Sequence, residues 1–127
     1  MNKSVHIIDL IGKMGTIYKA SSLVLMCGSL LERLKGHNPI EPAQVNCAVL
    51  SGPYVKSFKD IYAAMETDNA VHIFNTPTAE HIADTVAHLL THDTARKSLA
   101  NAALTYTTQE NELFEKLLNS LALTFDA

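Results

Sequence analysis

Leu23-Val-Leu-Met-Cys-Gly-Ser-Leu-Leu-Glu-Arg-Leu-Lys-Gly-His-Asn-Pro-Ile-Glu-Pro42 is the stretch from which the rest of the chain can be read. Its first five residues, Leu23–Cys27, form a continuous apolar run, the pattern of a strand buried on both faces. A polar, glycine-containing loop, Gly28–Asn38, follows. Asn38-Pro39 then reads as a helix start, because Asn is a preferred N-cap and Pro is tolerated at the first helical position. Glu41 falls three residues after that cap, where a carboxylate can reach back to the backbone N–H. Strand, glycine loop and helix in this order form one βα step, and the carboxyl end of its strand is where ligands bind in open α/β sheets.

The same alternation extends in both directions. Upstream, Val5–Ile8 is short and β-branched, which predicts a strand, and Gly12–Ala20 predicts a short helix. Downstream, Ala48–Leu50 predicts a strand closed by the turn Ser51-Gly-Pro53. Phe58, Ile61, Tyr62 and Met65 recur at helical spacing within Ser57–Glu66. Ala70–Phe74 predicts a fourth strand. Thr78–Leu90 predicts a helix with Ile82, Val86, Leu89 and Leu90 in one stripe. Thr107 with Glu110 has the spacing of a capping box and opens a last helix, whose Leu113, Phe114, Leu117, Leu118, Leu121 and Phe125 form a broad apolar face. Strands alternating with helices predict an α/β fold: a partial Rossmann-like domain of about four parallel strands flanked by helices. Residues 1–127 read as a single domain, truncated because the chain starts almost directly in a strand.

Composition narrows the classes. Apolar residues make up 47% and charged residues 18% of the 127 positions, a globular composition too apolar for disorder. Ten Lys and Arg stand against thirteen Asp and Glu, and a net charge of −3 gives no footprint for nucleic acid or an anionic membrane surface. Five consecutive apolar residues fall far short of the ~20 that a membrane span needs, and the N-terminus lacks a signal-peptide pattern. Cys27 and Cys47 form no CxxC and lie in apolar stretches, which predicts buried, reduced thiols in a cytoplasmic chain.

Two readings of the loop stand side by side. Gly36 lets backbone approach a ligand, the helix from Pro39 offers unpaired N–H groups to an anion, and Glu41 is placed to accept from a vicinal diol such as ribose. Alternatively, Asn38 and Glu41 only cap the helix and Gly36 only makes a turn. Elsewhere, His81, His88 and His92 share a helical face but read as solvent-facing, since a zinc site needs three or four converging ligands. Glu32, Arg33 and Lys35 could meet a phosphate or stay solvated, and Met14 and Met26 fit core filling. No nucleophile elbow, P-loop or GxGxxG is present.

At this loop the sequence resembles the 3-deoxy-D-manno-octulosonic acid (Kdo) transferases. The matching residues are Gly28-Ser-Leu-Leu-Glu-Arg33, Gly36-His-Asn-Pro-Ile-Glu-Pro42, Val49-Leu-Ser-Gly-Pro53 and Phe58-Lys-Asp60, with Asp9, Gly12 and Tyr18 upstream. The resemblance implies the C-terminal half of a GT-B glycosyltransferase, which binds the donor CMP-Kdo. It implies that Gly28, Ser29, Gly36, His37, Asn38 and Glu41 line the donor site, with Glu41 toward the ribose and the loop toward the phosphate. It further implies no cofactor and no metal, and a missing N-terminal half that binds the lipid A precursor and carries the catalytic carboxylate. No catalytic residue is then expected in this chain, which alone would not transfer Kdo. The parent enzyme would act at the cytoplasmic face of the inner membrane.

Several positions depart from the family pattern. Cys27 and Lys35 stand where paired glycines are usual, Gly12-Lys-Met14 replaces Gly-Glu-Leu, Ser57 replaces Asn, and the loop is one residue longer. They keep open a second reading, a non-catalytic or relic module that retains only the fold. Finally, the apolar face of the last helix predicts self-association.

Overall fold

The computed structural model describes residues 4–125. Three strands, β1 (Leu23–Met26), β2 (Ala48–Ser51) and β3 (His72–Ile73), and five helices, α1 (Met14–Ala20), α2 (Ile40–Gln44), α3 (Lys59–Thr67), α4 (Ala79–Thr91) and α5 (Asp93–Phe125), make up an α/β domain. All strand pairs are parallel in the order β1-β2-β3, with Leu23 opposite Ala48, Met26 opposite Ser51, and Ser51 opposite Ile73. The α/β class and the parallel sheet of the sequence reading are therefore present.

Side chains alternate across the sheet, as the twofold period of a strand demands. Val24, Met26 and Val49 face Ala43 of α2, Tyr62 and Met65 of α3, and Ala103 and Tyr106 of α5. Leu23, Leu25 and Leu50 face the other way, onto Phe74, Ile82, Val86 and Leu89, with Ala95 and Leu99 of α5. One helix thus serves both faces: the start of α5 packs on one layer and its middle on the other. Cys47 ties α1 to β2, its buried thiol lying 3.0 Å from the Tyr18 carbonyl oxygen and 3.1 Å from that of Ser21. Burial pushes this thiol's pKa up, so it stays protonated.

Five expectations need correction. Val5–Ile8 forms no strand; the segment is irregular, with Val5 and Ile7 both 91% exposed. A strand exists only through a paired neighbour, and the outer edge of β1 carries none among the described residues. For the same reason β1 is half-buried rather than buried on both faces. Among the described residues the sheet has three strands rather than about four, and β3 keeps only two residues of the expected Ala70–Phe74. Cys27 is exposed, not buried, because it lies just past the end of β1. The last helix starts at Asp93, and Thr107 sits buried inside it, donating its hydroxyl to the Leu104 carbonyl. That back-bonding is what a Thr does inside a helix; Thr107 and Glu110 match a cap in spacing alone.

Phe74, fully buried, stands edge-on to the imidazoles of His72 and His81, with ring centroids 4.7 and 5.1 Å away. Nε2 of His72 is buried without a hydrogen-bond partner among the described residues. Burial first, and the facing His81 second, hold the His72 pKa below its ordinary value. The folded domain therefore resists a proton that the unfolded chain accepts, and stability rises with pH across this window. Stability is expected to be complete above about pH 6.5 and to fall as the pH drops through that value. Urea midpoints on either side of it measure the slope. His72→Phe should flatten it, and an unchanged slope in that variant would assign the pH dependence to other groups.

Candidate functional site

The loop after β1 is built as a clamp. Residues 27–29 form a tight helical turn, and Ser29 is completely buried beneath it. Its hydroxyl donates to the Met26 carbonyl and accepts from the Gly52 amide at 2.6 Å, while its carbonyl accepts from the Tyr54 amide at 3.0 Å. One serine thus locks the carboxyl end of β1 to that of β2. The far side of the loop returns to the same place: the Gly36 amide donates to the Gly28 carbonyl at 3.3 Å. Gly36 has φ +85, and a Cβ there would lie 3.0 Å from the Tyr54 oxygen and the Val55 Cα, so both backbone conformation and space demand glycine. The buried Tyr62 then fixes the next residue, its hydroxyl donating to the His37 carbonyl at 2.9 Å. Burial raises the Tyr62 pKa, which keeps that donor protonated.

These constraints open a cleft of about 580 Å³ at the carboxyl end of β1, between α1 and α2. Gly28, His37, Asn38 and Glu41 line its polar side; Met14, Tyr18, Val24, Met26 and Phe58 line its apolar side, with Cys27 at the rim. The imidazole of His37 lies directly over Gly28, where even a methyl group would fall about 2.1 Å from its Cδ2. Asn38 Oδ1 accepts from the Ile40 amide at 3.0 Å and sets the start of α2, with Pro39 in the cap position rather than inside the helix. Glu41 is exposed on the first turn of α2. Tyr18 is raised above the usual tyrosine pKa, mainly by burial and secondarily by the Glu41 carboxylate. A mostly apolar cleft with a few converging polar groups is the usual form of a small-molecule site.

Four of the six residues expected in the site therefore meet in one cleft, and two do not. Ser29 and Gly36 are buried behind it and shape the loop. Met14, assigned to the core from sequence, is half-exposed on the cleft wall. Tyr18 and Phe58 belong to the wall as well. Phe58 reads as part of a helical stripe and Tyr18 carries no pattern of its own; their places in the family pattern are the only signal. Lys35 is exposed and lies off the cleft lining, and its carbonyl accepts from the Ser57 amide at 3.1 Å. His81, His88 and His92 are exposed; His88 and His92 stack at 4.1 Å, and no group of three metal-ligating residues occurs among those described. Among the described residues, no helix is long and apolar enough to cross a membrane.

A parallel α/β sheet with a mostly apolar cleft at the carboxyl end of a strand is the architecture of a Rossmann-like domain. Comparison with known proteins narrows this class. The chain is 28% identical over 120 residues to 3-deoxy-D-manno-octulosonic acid transferase from Haemophilus influenzae, covering 94% of this chain and 28% of that protein. It is also 28% identical over 87 residues to "Probable 3-deoxy-D-manno-octulosonic acid transferase, mitochondrial" from Arabidopsis thaliana, covering 68% of this chain and 20% of that one. Its fold superimposes on the C-terminal CMP-Kdo binding domain of WaaA from Acinetobacter baumannii with a TM-score of 0.72 and 28% identity, over 80% of this chain and 51% of the other. No protein-family model matches the chain. The chain is homologous to the C-terminal portion of Kdo transferases. It spans between a fifth and a third of the length of these two transferases.

Proposed function

We propose that this chain binds CMP-Kdo, as the C-terminal donor part of a GT-B enzyme that passes Kdo to a lipid A precursor at the cytoplasmic face of the inner membrane. The observation that carries the reading is the convergence of Gly28, His37, Asn38 and Glu41 on one cleft. In this reading Glu41 accepts hydrogen bonds from the ribose diol. His37 and Asn38 face the phosphate, and the apolar wall of Tyr18, Met26 and Phe58 takes the base. Ser29 and Gly36 serve the donor indirectly, by holding the loop. Transfer itself needs the acceptor half and its carboxylate, which activates the acceptor hydroxyl while the cleft stabilises the departing phosphate.

Titration of the chain with CMP, followed through backbone amide shifts, tests the proposal. Saturable shifts confined to the cleft lining and the loop that carries it, residues 14, 18, 24–28, 36–41 and 58, are expected, with no turnover of CMP-Kdo and lipid A precursor by the isolated chain. No shift at millimolar CMP would favour a module that keeps the fold alone, in line with the changes at Lys13, Cys27 and Lys35. Turnover by the isolated chain would overturn the assignment of the catalytic carboxylate to another half.

A further inference from the structure

His37 lies on the short stretch that joins the Gly36 turn to α2, and its imidazole rests over Gly28 in a gap that only a glycine leaves open. The residues on either side are tied down. The Lys35 carbonyl accepts from the Ser57 amide, the Gly36 amide donates to the Gly28 carbonyl, and Asn38 Oδ1 accepts from the Ile40 amide. Between these ties, the His37 carbonyl takes its one hydrogen bond among the described residues from the Tyr62 hydroxyl, at 2.9 Å. That hydroxyl comes from α3, 25 residues along the chain, and it reaches out of the core. The Tyr62 side chain is 1% exposed and belongs to the cluster of Met26, Ala43, Val49 and Met65. Packing holds its ring in one orientation, so the hydroxyl is a fixed donor. It sets the plane of the peptide that joins His37 to Asn38. With Gly36 pinned on the other side, that plane fixes the backbone of His37 and the direction in which its imidazole leaves the chain. Gly28 provides the space for the imidazole, and Tyr62 keeps it there. Filling the core does not call for this hydroxyl, since phenylalanine has the same shape, and a buried phenol costs its desolvation unless it finds a partner. Its partner here is the backbone of the cleft.

We propose that Tyr62 is a positioning residue for phosphate recognition: through the His37 carbonyl it holds the imidazole against the phosphate, and so gives the cleft its preference for a nucleotide over the bare nucleoside. This role rests on the reading above that places His37 at the phosphate of bound CMP. Tyr62 lies behind the cleft wall, outside its lining, and touches no part of the ligand itself. Loss of its hydroxyl therefore acts on the phosphate alone. The base and the ribose are held in that reading by Tyr18, Met26, Phe58 and Glu41, whose contacts do not pass through the His37 carbonyl. The start of α2, which carries Glu41, keeps its own tie at Asn38 Oδ1.

Tyr62→Phe keeps the ring and removes the bond, and amide-shift titrations with CMP and with cytidine read the result. CMP affinity is expected to fall about 5- to 10-fold, and cytidine affinity to stay within about twofold of the parent chain. A general loosening of the domain would weaken both ligands alike. A double-mutant cycle makes the same distinction without cytidine. His37→Ala should lower CMP affinity at least as much as Tyr62→Phe, and adding Tyr62→Phe to it should change nothing further, because no imidazole is left to position. In the free chain, Tyr62→Phe should shift the Asn38 amide nitrogen, which shares its peptide group with the His37 carbonyl, and leave the amides of α4 in place. Equal losses for CMP and cytidine, or additive losses in the cycle, would overturn the positioning role and leave the nucleotide reading intact. A parent chain that binds CMP no better than cytidine, or a His37→Ala variant with unchanged CMP affinity, would remove His37 from the phosphate and overturn both.

Discussion

Replacing Gly52 by alanine is expected to lower the stability of the domain by about 2–3 kcal/mol and to abolish nucleotide binding with it. A Cβ at Gly52 would lie 2.4 Å from the Ser29 carbonyl oxygen, 2.8 Å from its carbon and 2.8 Å from Leu30 Cδ2. The leucine methyl can move aside, but the Ser29 backbone cannot. Its carbonyl already accepts from the Tyr54 amide, and its hydroxyl already bridges the Met26 carbonyl and the Gly52 amide. Making room means pulling the loop off the end of β2. That strands a buried amide and a buried hydroxyl, each costing ~1–3 kcal/mol if left unpaired. The loss is a large share of the ~5–15 kcal/mol that holds a domain folded. Gly15→Ala is the matched control. Gly15 lies inside α1 with open space where a Cβ would go, so alanine there should stabilise by about 0.5–1 kcal/mol. Urea midpoints of the two variants decide the matter, and a Gly52→Ala midpoint equal to that of the parent chain would refute the clamp.

That clamp also marks where sequence reasoning runs out. The apolar runs 23–27 and 48–50 announce β1 and β2, and the β-branched, largely apolar 70–74 announces β3, although only β2 is buried along its whole length. The amphipathic stripes of α3 and α4 are legible as well. Val5–Ile8 has an equally good strand sequence, but pairing is a property of the neighbour and not of the segment. The first half of α5 was invisible because it is helical through alanine rather than through an apolar stripe. Ala95, Ala100, Ala102 and Ala103 are strong helix formers, and no Gly or Pro breaks the stretch. In the site, the cleft residues His37, Asn38 and Glu41 are adjacent in sequence and could be proposed together. The role of Ser29 depends on Gly52, 23 residues away, and nothing local distinguishes a serine that clamps two strands from one that binds a ligand. Tyr18 and Phe58 were hidden by the opposite problem. Phe58 at helical spacing reads as core, and Tyr18 carries nothing but its place in the family pattern, so the residues alone turn neither toward a cleft.

Glu41→Ala is expected to weaken CMP binding about 10- to 100-fold while leaving the unfolding midpoint within about 0.5 kcal/mol of the parent chain. The two halves of this result separate the two roles that the sequence allowed for Glu41. A capping carboxylate contributes to stability, and its loss costs the domain about 1 kcal/mol whether or not a nucleotide is present. A ligand-binding carboxylate contributes nothing until the ligand arrives. Glu41 is exposed, and the side-chain bond at the start of α2 is the one that Asn38 Oδ1, one residue before the cap, accepts from the Ile40 amide. Asn38→Ala should therefore show the stability loss that Glu41→Ala lacks. Charge-assisted hydrogen bonds from a diol to a carboxylate are worth about 1.5–3 kcal/mol, which sets the size of the affinity loss. Glu41→Gln keeps the shape and one acceptor but removes the charge, so its affinity should fall between those of the parent and the alanine variant. Isothermal titration with CMP and with 2′-deoxy-CMP completes the argument. The parent chain should discriminate against the deoxynucleotide, and Glu41→Ala should not. Equal discrimination in both would place the ribose elsewhere in the cleft.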